Sequence, residues 1–166
     1  MLGYKGKGEN KVEIQFEKME AFRLLGKVEK QFVENVRADE FWERCGQDGI
    51  LEELIDYSTS QNKELIGLAD GSSYDGASYQ YYIATPFDGE EIPEGYVMKT
   101  IPKSTWLKVQ SPDSDGFIDQ EIWSKIYSEF FPTTTYEPAE YQLEVYPNGD
   151  MKKESEVWIA VQKRGK

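Results

Sequence analysis

Residues 143–149 read LEVYPNG, and residues 65–71 read LIGLADG. The two stretches lie 78 positions apart, and YYIAT at 81–85 matches VWIAV at 157–161 at an offset of 76. An internal repeat indicates the architecture of a protein, because each copy folds as one supersecondary unit. The sequence therefore predicts two halves of similar structure.

The elements around these stretches occur in the same order in both halves. The Phe41-Trp42 pair matches Ile122-Trp123 at an offset of 81. Period-two alternation predicts strands, and apolar residues at helical spacing predict helices. Each half is thus a strand, helix, strand, strand unit. The predicted strands are 12–19, 22–28, 64–69, 78–85, 96–102, 104–110, 141–146 and 155–163. The first predicted helical stripe, with a bend or break at Gly46 and Gly49, consists of Phe32, Val33, Val36, Phe41, Trp42, Cys45, Ile50, Leu51, Leu54 and Ile55. The second, which ends at Pro132, consists of Ile118, Ile122, Trp123, Ile126, Tyr127, Phe130 and Phe131.

The predicted fold class is α+β, with two pseudo-symmetric strand-helix-strand-strand modules whose antiparallel sheets pack around a central ligand groove. Residues 1–10, rich in Gly and Lys, are predicted to be a flexible lead. Residues 11–166 form a single domain, with pseudo-repeats at about 11–87 and 94–164. Pro147, Asn148 and Gly149 supply the turn of the last hairpin.

Residue parity divides each strand into a face beneath the helix and an open face. In the last strand, Val157, Ile159 and Val161 form the apolar set expected under a helix, so Trp158 is predicted to face the open side. The repeat places Tyr82 at the equivalent position of the first half. The two rings are therefore expected to face each other across a groove.

The same reasoning on LEVY puts Leu143 and Val145 beneath the helix and Glu144 on the open face together with Tyr146. In the first half the equivalent open-face positions are Ile66 and Leu68, whose side chains are aliphatic. The predicted groove therefore has a carboxylate on one side and an aliphatic wall on the other. Such an asymmetric site suits a cation.

Charge and composition exclude several classes of function. The net charge is −12, which opposes direct binding to nucleic-acid phosphates and favours encounter with cations. The chain has no histidine, which excludes His-dependent triads and zinc-His sites, and we predict neither a metal nor a cofactor. A single cysteine, Cys45, and the absence of a long apolar run fit a cytoplasmic protein outside the membrane.

Four stretches of the chain carry a resemblance to a known family. They are YYIATPF at 81–87, EGYVMKTIPKSTWLKVQ at 94–110, IWSKIYSEFFPTTTYEPAEYQLEVYPNG at 122–149 and SEVWIAVQK at 155–163. Together they resemble the GyrI-like or AraC effector-binding domains, over roughly residues 12–163. This family includes the drug-binding parts of multidrug-responsive transcription regulators.

The resemblance implies a receptor for lipophilic cationic small molecules. The Glu of the family's Glu-Val-Tyr strand meets the positive charge of the ligand, and the matching residue is Glu144. Ala160 stands where the family commonly has Pro. The resemblance also implies a DNA-binding regulator as a partner or a fused domain, although no helix-turn-helix region precedes residue 12. The predicted ligand-binding residues are Glu144, Trp158, Tyr82, Tyr146, Trp106, Ile66, Leu68 and Phe87, with Tyr74 and Tyr79 as further candidates from the loop side and Trp42 expected in the core.

Two alternatives remain open at this point. Some relatives are linked with hydrolysis of strained electrophilic compounds, for which Glu144 beside Tyr146 could act as general base. The family's namesake inhibits DNA gyrase, and an acidic surface can imitate DNA. We therefore carry a hydrolase and a protein-interaction function beside the leading prediction of a small-molecule receptor.

Overall fold

Nine antiparallel strands and three helices are formed by residues 2–5, 11–110, 120–147 and 155–165, which are the residues that the computed structural model describes. The strands are β1 (Leu2–Lys5), β2 (Lys11–Met19), β3 (Phe22–Phe32), β4 (Leu65–Asp70), β5 (Ser78–Pro86), β6 (Val97–Ile101), β7 (Ser104–Gln110), β8 (Tyr136–Tyr146) and β9 (Glu156–Lys163). The helices are α1 (Ala38–Gln47), α2 (Ile50–Tyr57) and α3 (Gln120–Lys125), which continues as a π-helical turn (Ile126–Phe130) and a 3-10 turn (Phe131–Thr133); a second 3-10 turn spans Gly71–Ser73.

All of these strands belong to one sheet, in the order β1-β2-β7-β9-β8-β4-β5-β3-β6. The first half contributes β3, β4 and β5 with α1 and α2, and the second contributes β7, β8 and β9 with α3. The halves meet where β4 pairs with β8. The predicted α+β fold of two pseudo-symmetric modules is confirmed, with the two sheets joined edge to edge at their centre.

The halves also exchange strands. Although β2 directly precedes β3 in sequence, it pairs with β7 of the other half, and β6 likewise pairs with β3. Met19 faces Ser104 and Phe22 faces Ile101, so the two pairings continue a single register. Residues 14–26 and 97–109 therefore form one long antiparallel ribbon that ties the halves together.

The helices cover one face of the sheet. Gly49, at φ 77°, separates α1 from α2, and Phe41, Trp42 and Cys45 of α1 are buried against the strands. The predicted break is confirmed at Gly49, whereas Gly46 lies within α1. The helical-face core consists of Ile14, Leu25, Phe41, Trp42, Cys45, Leu54, Leu65, Tyr81 and Ile83 from the first half, with Leu107, Val109, Ile122, Ile126, Phe131, Tyr146, Val157, Ile159 and Val161 from the second.

The first helix begins later than predicted. Phe32 ends β3, and Val33 and Val36 lie in the following turn; all three side chains are about half exposed. The Gln31 side chain accepts a hydrogen bond from the backbone N–H of Arg37 at 2.7 Å, which fixes this turn ahead of the helix. The helical prediction for Phe32, Val33 and Val36 was therefore wrong.

The opposite face of the sheet carries a second core, and this is a correction to the predicted open face. Its residues are almost all sealed from solvent, and no helix of the described chain contributes to it, so the strands themselves, including those of the crossing ribbon, form it. The second core consists of Leu24, Ile66, Leu68, Tyr82, Ala84, Ile101, Trp106, Leu143, Val145 and Ala160, with Met19, Phe22, Ala139, Tyr141 and Trp158 packed against it.

Three predictions concern the chain ends and turns. Within the predicted lead, Leu2–Lys5 pair with β2 as strand β1, so this part has regular structure, whereas residues 6–10 lie outside the described residues. Ile118, Asn148 and Gly149 also lie outside them.

Among the helices that the structure does describe, none has the length and apolarity needed to cross a membrane.

Candidate functional site

The centre of the sheet has small and polar residues on its helical face. Gly67 of β4 pairs with Glu144 of β8, and Ala69 pairs with Gln142. Because Gly and Ala project little beyond the backbone, these two pairs form the floor of a cleft. The cleft separates the helices of the first half from α3 of the second.

The cleft encloses about 310 Å³, which lies at the lower end of the range for small-molecule sites. Both halves contribute to its walls. The first half supplies the start of α1 and the ring side chains of β5, and the second supplies rings of α3 and of the π-helical turn. The lining residues are Val36, Ala38, Gly67, Ala69, Tyr79, Tyr81, Trp123, Tyr127, Gln142 and Glu144.

A chain of hydrogen bonds holds the carboxylate of Glu144. The Tyr81 hydroxyl donates to Glu144 Oε1 at 3.1 Å, and Trp42 Nε1–H donates to the Tyr81 oxygen at 2.9 Å. Trp42 and Tyr81 are both buried. The Trp42 ring also packs edge-on against Tyr146, with ring centroids 5.5 Å apart, so α1 of the first half touches β8 of the second directly below the cleft.

Gly67 is required for this arrangement. A Cβ atom at Gly67 would lie 2.2 Å from the Tyr81 hydroxyl oxygen and 3.1 Å from Glu144 Oε1. The first distance is far below van der Waals contact. Only glycine at this position leaves room for the Tyr81–Glu144 hydrogen bond on the cleft floor.

Burial raises the pKa of Glu144 above its ordinary value, because desolvation penalises the charged form. Hydrogen bonds from Tyr81, Tyr146 and Trp123 act in the opposite direction without cancelling this effect. The side chain is partly exposed only toward the cleft. The cleft lining contains no Lys or Arg among the described residues, so Glu144 has no cationic partner there.

The tyrosines around the cleft remain neutral at physiological pH. Burial raises the pKa of Tyr127 to about 12, and burial together with the nearby Glu144 charge raises the pKa of Tyr79. The Tyr127 hydroxyl accepts a hydrogen bond from Nε2 of Gln142. The cleft thus presents neutral ring faces around one carboxyl group.

A second cavity of about 330 Å³ adjoins the cleft and shares Ala69, Tyr79 and Gln142 with it. It lies toward the loop end of β4 and the middle of β8. Its remaining lining residues are Gly71, Tyr74, Ala139 and Glu140. Tyr74 is 55% exposed, and its hydroxyl donates to the Gly76 carbonyl oxygen at 3.1 Å, which holds the ring in place.

The structure separates the predicted site residues into two groups. Glu144 lines the cleft, and Tyr146 is buried at its base on the same face of the sheet. The predicted parity of β8 was wrong, since Leu143 and Val145 belong to the second core and not to the layer beneath the helices. The predicted residues that lie in the second core, away from Glu144, are Trp158, Tyr82, Trp106, Ile66 and Leu68.

The predicted equivalence of Ile66 and Glu144 also fails. Ile66 pairs with Val145, whereas Glu144 pairs with Gly67, so Ile66 and Glu144 point to opposite faces. Trp158 is occupied on its own side of the sheet. Its Nε1–H donates to Glu156 at 2.7 Å, and the Lys108 ammonium lies 3.7 Å from its ring centroid.

Of the other candidates, Phe87 packs against the helical-face core and does not line either cavity, whereas Tyr79 lines both and Tyr74 the outer one. Sequence reasoning missed most of the cleft. Tyr81 was not among the predicted site residues, because its neighbour Tyr82 was chosen. The missed lining residues are Gly67, Ala69, Tyr81, Trp123, Tyr127 and Gln142, with Val36 and Ala38 at the rim.

Comparison with known proteins gives both a family and a fold. The sequence profile of the integron-associated effector binding protein family, Cass2, matches residues 11–161. Among curated proteins, none matches the chain. Several solved structures share its fold.

The structure of SAV2435 bound to tetraphenylphosphonium superposes with a TM-score of 0.73 at 18% identity, over 90% of this chain and 94% of that one. An integron cassette protein from the mobile metagenome of Vibrio cholerae gives a TM-score of 0.60 at 15% identity, over 90% and 95% of the two chains. EcmrR in its complex with DNA gives 0.59 at 12% identity, over 92% of this chain and 58% of EcmrR.

Proposed function

The chain belongs to the family of integron-associated effector binding proteins, and from that premise we propose that it is a receptor for lipophilic cationic organic molecules, which bind in the cleft above Glu144. The observation that carries this proposal is a half-buried carboxylate among aromatic rings, with no Lys or Arg in the described cleft lining. The bound cation supplies the charge that the cleft lacks.

Desolvation explains why such a cleft selects cations. A carboxylate buried without a positive partner is unfavourable, and the raised pKa of Glu144 expresses that cost. A lipophilic cation removes the cost by pairing with Glu144, and it loses little hydration of its own. The ring faces of Tyr79, Trp123 and Tyr127 add cation–π attraction of about 0.5–2 kcal/mol for each well-placed contact.

The relatives support the same ligand class. SAV2435 is bound to tetraphenylphosphonium, a lipophilic cation, in a structure of the same fold. EcmrR is bound to DNA and contains this fold within a longer chain. We therefore propose that ligand binding is linked to transcription regulation through a DNA-binding partner or domain, because the net charge of −12 opposes DNA binding by these residues themselves.

Titration with tetraphenylphosphonium tests the proposal. Trp123 lines the cleft and Trp42 lies beneath it, so tryptophan fluorescence should report binding. Glu144→Gln removes the charge and keeps the shape of the side chain, and we expect at least about tenfold weaker binding, because buried charge pairs contribute more than exposed ones. Unchanged affinity in that variant would refute the role of Glu144.

Two controls make the titration specific. Glu90→Gln removes the same charge from an exposed residue that lines neither cavity, so its affinity should match the wild type. Triphenylphosphine oxide is a neutral compound with similar rings and should bind far more weakly than the phosphonium. Equal binding of the two compounds would mean that the cleft selects rings and not charge.

A hydrolase is the second candidate function, favoured by the hydrogen bond between Tyr81 and Glu144 together with the raised pKa of Glu144. A carboxyl group poised in this way can act as general base toward water. Incubation with a cyclopropane-bearing electrophile distinguishes the two functions. Multiple turnovers that disappear in Glu144→Gln would support hydrolysis, and stoichiometric binding without product would exclude it for that substrate.

A further inference from the structure

The cleft above Glu144 and the cavity beside it together form a groove, and a glutamate lines each part. Ala69, Tyr79 and Gln142 line both cavities, so the two parts are directly adjacent. Glu144 lines the inner cavity and Glu140 the outer one. The two residues lie on the same strand, four positions apart.

The outer cavity repeats the composition of the inner one. It combines Glu140 with the ring faces of Tyr74 and Tyr79, and its lining contains no Lys or Arg within the described part of the chain. Its volume of about 330 Å³ matches the 310 Å³ of the cleft. The two differ in burial, since Glu140 is exposed to solvent and Glu144 is open only toward the cleft.

Backbone geometry limits the distance between the Cα atoms of Glu140 and Glu144. Four residues of extended chain span at most about 14 Å. The pairing of β8 with β9 shifts register between Pro138 and Gln142, and this irregularity lies beside the outer cavity. Gly71 closes the floor, because a Cβ atom there would lie 2.5 Å from the Glu140 carbonyl oxygen.

We propose that this groove binds elongated bis-cationic lipophilic molecules, with one cationic head at Glu144 and the second at Glu140 between Tyr74 and Tyr79. The inference rests on the proposed function, which supplies the inner head, and it extends that function by naming the ligand shape. Linking two heads makes the second contact intramolecular, so the affinity depends on whether the linker spans the two sites.

A series of alkane-α,ω-bis(triphenylphosphonium) ions with spacers from butane to dodecane tests the inference. The matched comparison ligands have the same spacers and one phosphonium head, with a neutral triphenylmethyl group in place of the other. We expect the affinity ratio between bis-cation and mono-cation to pass through a maximum with spacer length. At that maximum Glu140→Gln should lower the ratio by about twofold to fivefold, the range for an exposed ion pair.

Glu140→Gln should leave mono-cation binding unchanged, and Glu90→Gln should change neither ligand. Tyr74→Ala should also lower the ratio, since it removes a ring face of the outer cavity. A ratio that depends on neither spacer length nor Glu140, while Glu144→Gln still weakens the mono-cation, would overturn this inference alone. Mono-cation binding that is insensitive to Glu144 would overturn the proposed function and this inference with it.

Discussion

The two faces of the central strand pair β4–β8 differ in what their side chains do, although the same two strands form both. On one face Ile66, Leu68, Leu143 and Val145 are fully or almost fully buried in the second core. On the other face Gly67, Ala69, Gln142 and Glu144 floor a cleft. Alternation along a strand thus places stability and binding on adjacent residues.

The difference shows where a repeat protein can keep a site. A strand, helix, strand, strand unit covers its own sheet with its helix, and the helices of two such units leave a gap where the units meet. On the opposite face, residues of the crossing ribbon such as Leu24, Ile101 and Trp106 belong to the second core. The cleft lies on the helical face, where the two units meet.

The prediction with the largest expected effect compares the unfolding free energies of variants at two adjacent residues of β8, one on each face of the sheet. Leu143→Ala removes a side chain with no exposed surface and should lower the free energy of unfolding by about 2–5 kcal/mol. Gln142→Ala, one position away on the cleft face, should cost less than about 1 kcal/mol. Urea denaturation of both variants measures this contrast. Equal losses would mean that both faces of β8 are packed alike.

The amino-acid sequence was sufficient to predict the fold but not the side of the sheet that carries the site. Strand alternation and the break at Gly49 could be predicted because each is a local pattern, and the repeat could be predicted because the two halves match in sequence. Which face lies under the helices could not be predicted, because Leu143 and Val145 are as aliphatic as Val157 and Ile159. When one face of a strand is apolar, the alternation shows which residues share a face. It does not show which layer of the protein covers that face.

Glu144 lines the cleft, but most of the residues predicted to surround it do not. Glu144 was predicted to share a face with Trp158 and Tyr82, but those rings lie in the second core. The residue that could have indicated these neighbours is Gly67, which pairs with Glu144 in the sheet. A glycine opposite a lone carboxylate indicates that another group approaches the backbone closely there. Trp123 and Tyr127 were predicted as a helical stripe, and only the packing of that helix shows that they reach the cleft.

The second effect in size tests the glycine that the cleft floor requires. Gly67→Ala should cost about 1–3 kcal/mol of unfolding free energy, because its Cβ would overlap the Tyr81 hydroxyl. Combining it with Tyr81→Phe removes the hydroxyl that the Cβ would overlap. The double variant should therefore lose less unfolding free energy than the sum of the losses in the two single variants. A double-mutant cycle in urea measures the coupling.

Gly46→Ala serves as the matched control for this cycle. The nearest atom to a Cβ at Gly46 is Leu51 Cδ1 at an ordinary 3.6 Å, and the residue lies within α1. Its replacement should be neutral or stabilising, since glycine weakens a helix interior. Additive losses in the Gly67/Tyr81 cycle would contradict the steric account.

The third effect concerns pH. Because burial raises the pKa of Glu144 in the folded protein, the folded state holds the proton over a pH window where the unfolded state has released it. Wild-type stability is therefore lowered as pH rises through that window. The stability of Glu144→Gln relative to wild type should grow with pH and level off above the folded pKa, and a saturating cation should reduce the difference.

This pH effect is measured by unfolding both proteins across a pH series beginning near 4, the ordinary pKa of a glutamate. Taking the difference between the two proteins cancels the other carboxylates. A difference that is flat with pH would show that Glu144 titrates normally, and that hydrogen bonds from Tyr81 and its neighbours offset its burial. The cation would then gain little by pairing with it.

The smallest effect asks whether the cleft uses the ring or the hydroxyl of Tyr127. Tyr127→Phe keeps the ring face and loses only the hydrogen bond from Gln142, so affinity for tetraphenylphosphonium should stay within about twofold. Tyr127→Ala removes the ring and should weaken binding by about twofold to fivefold, equivalent to an exposed cation–π contact of about 0.5–1 kcal/mol. Titration of both variants by tryptophan fluorescence decides between ring and hydroxyl. If Tyr127→Phe lost as much affinity as Tyr127→Ala, the hydroxyl and its bond to Gln142 would shape the cleft, and the polar residues of β8 would matter as much as its rings.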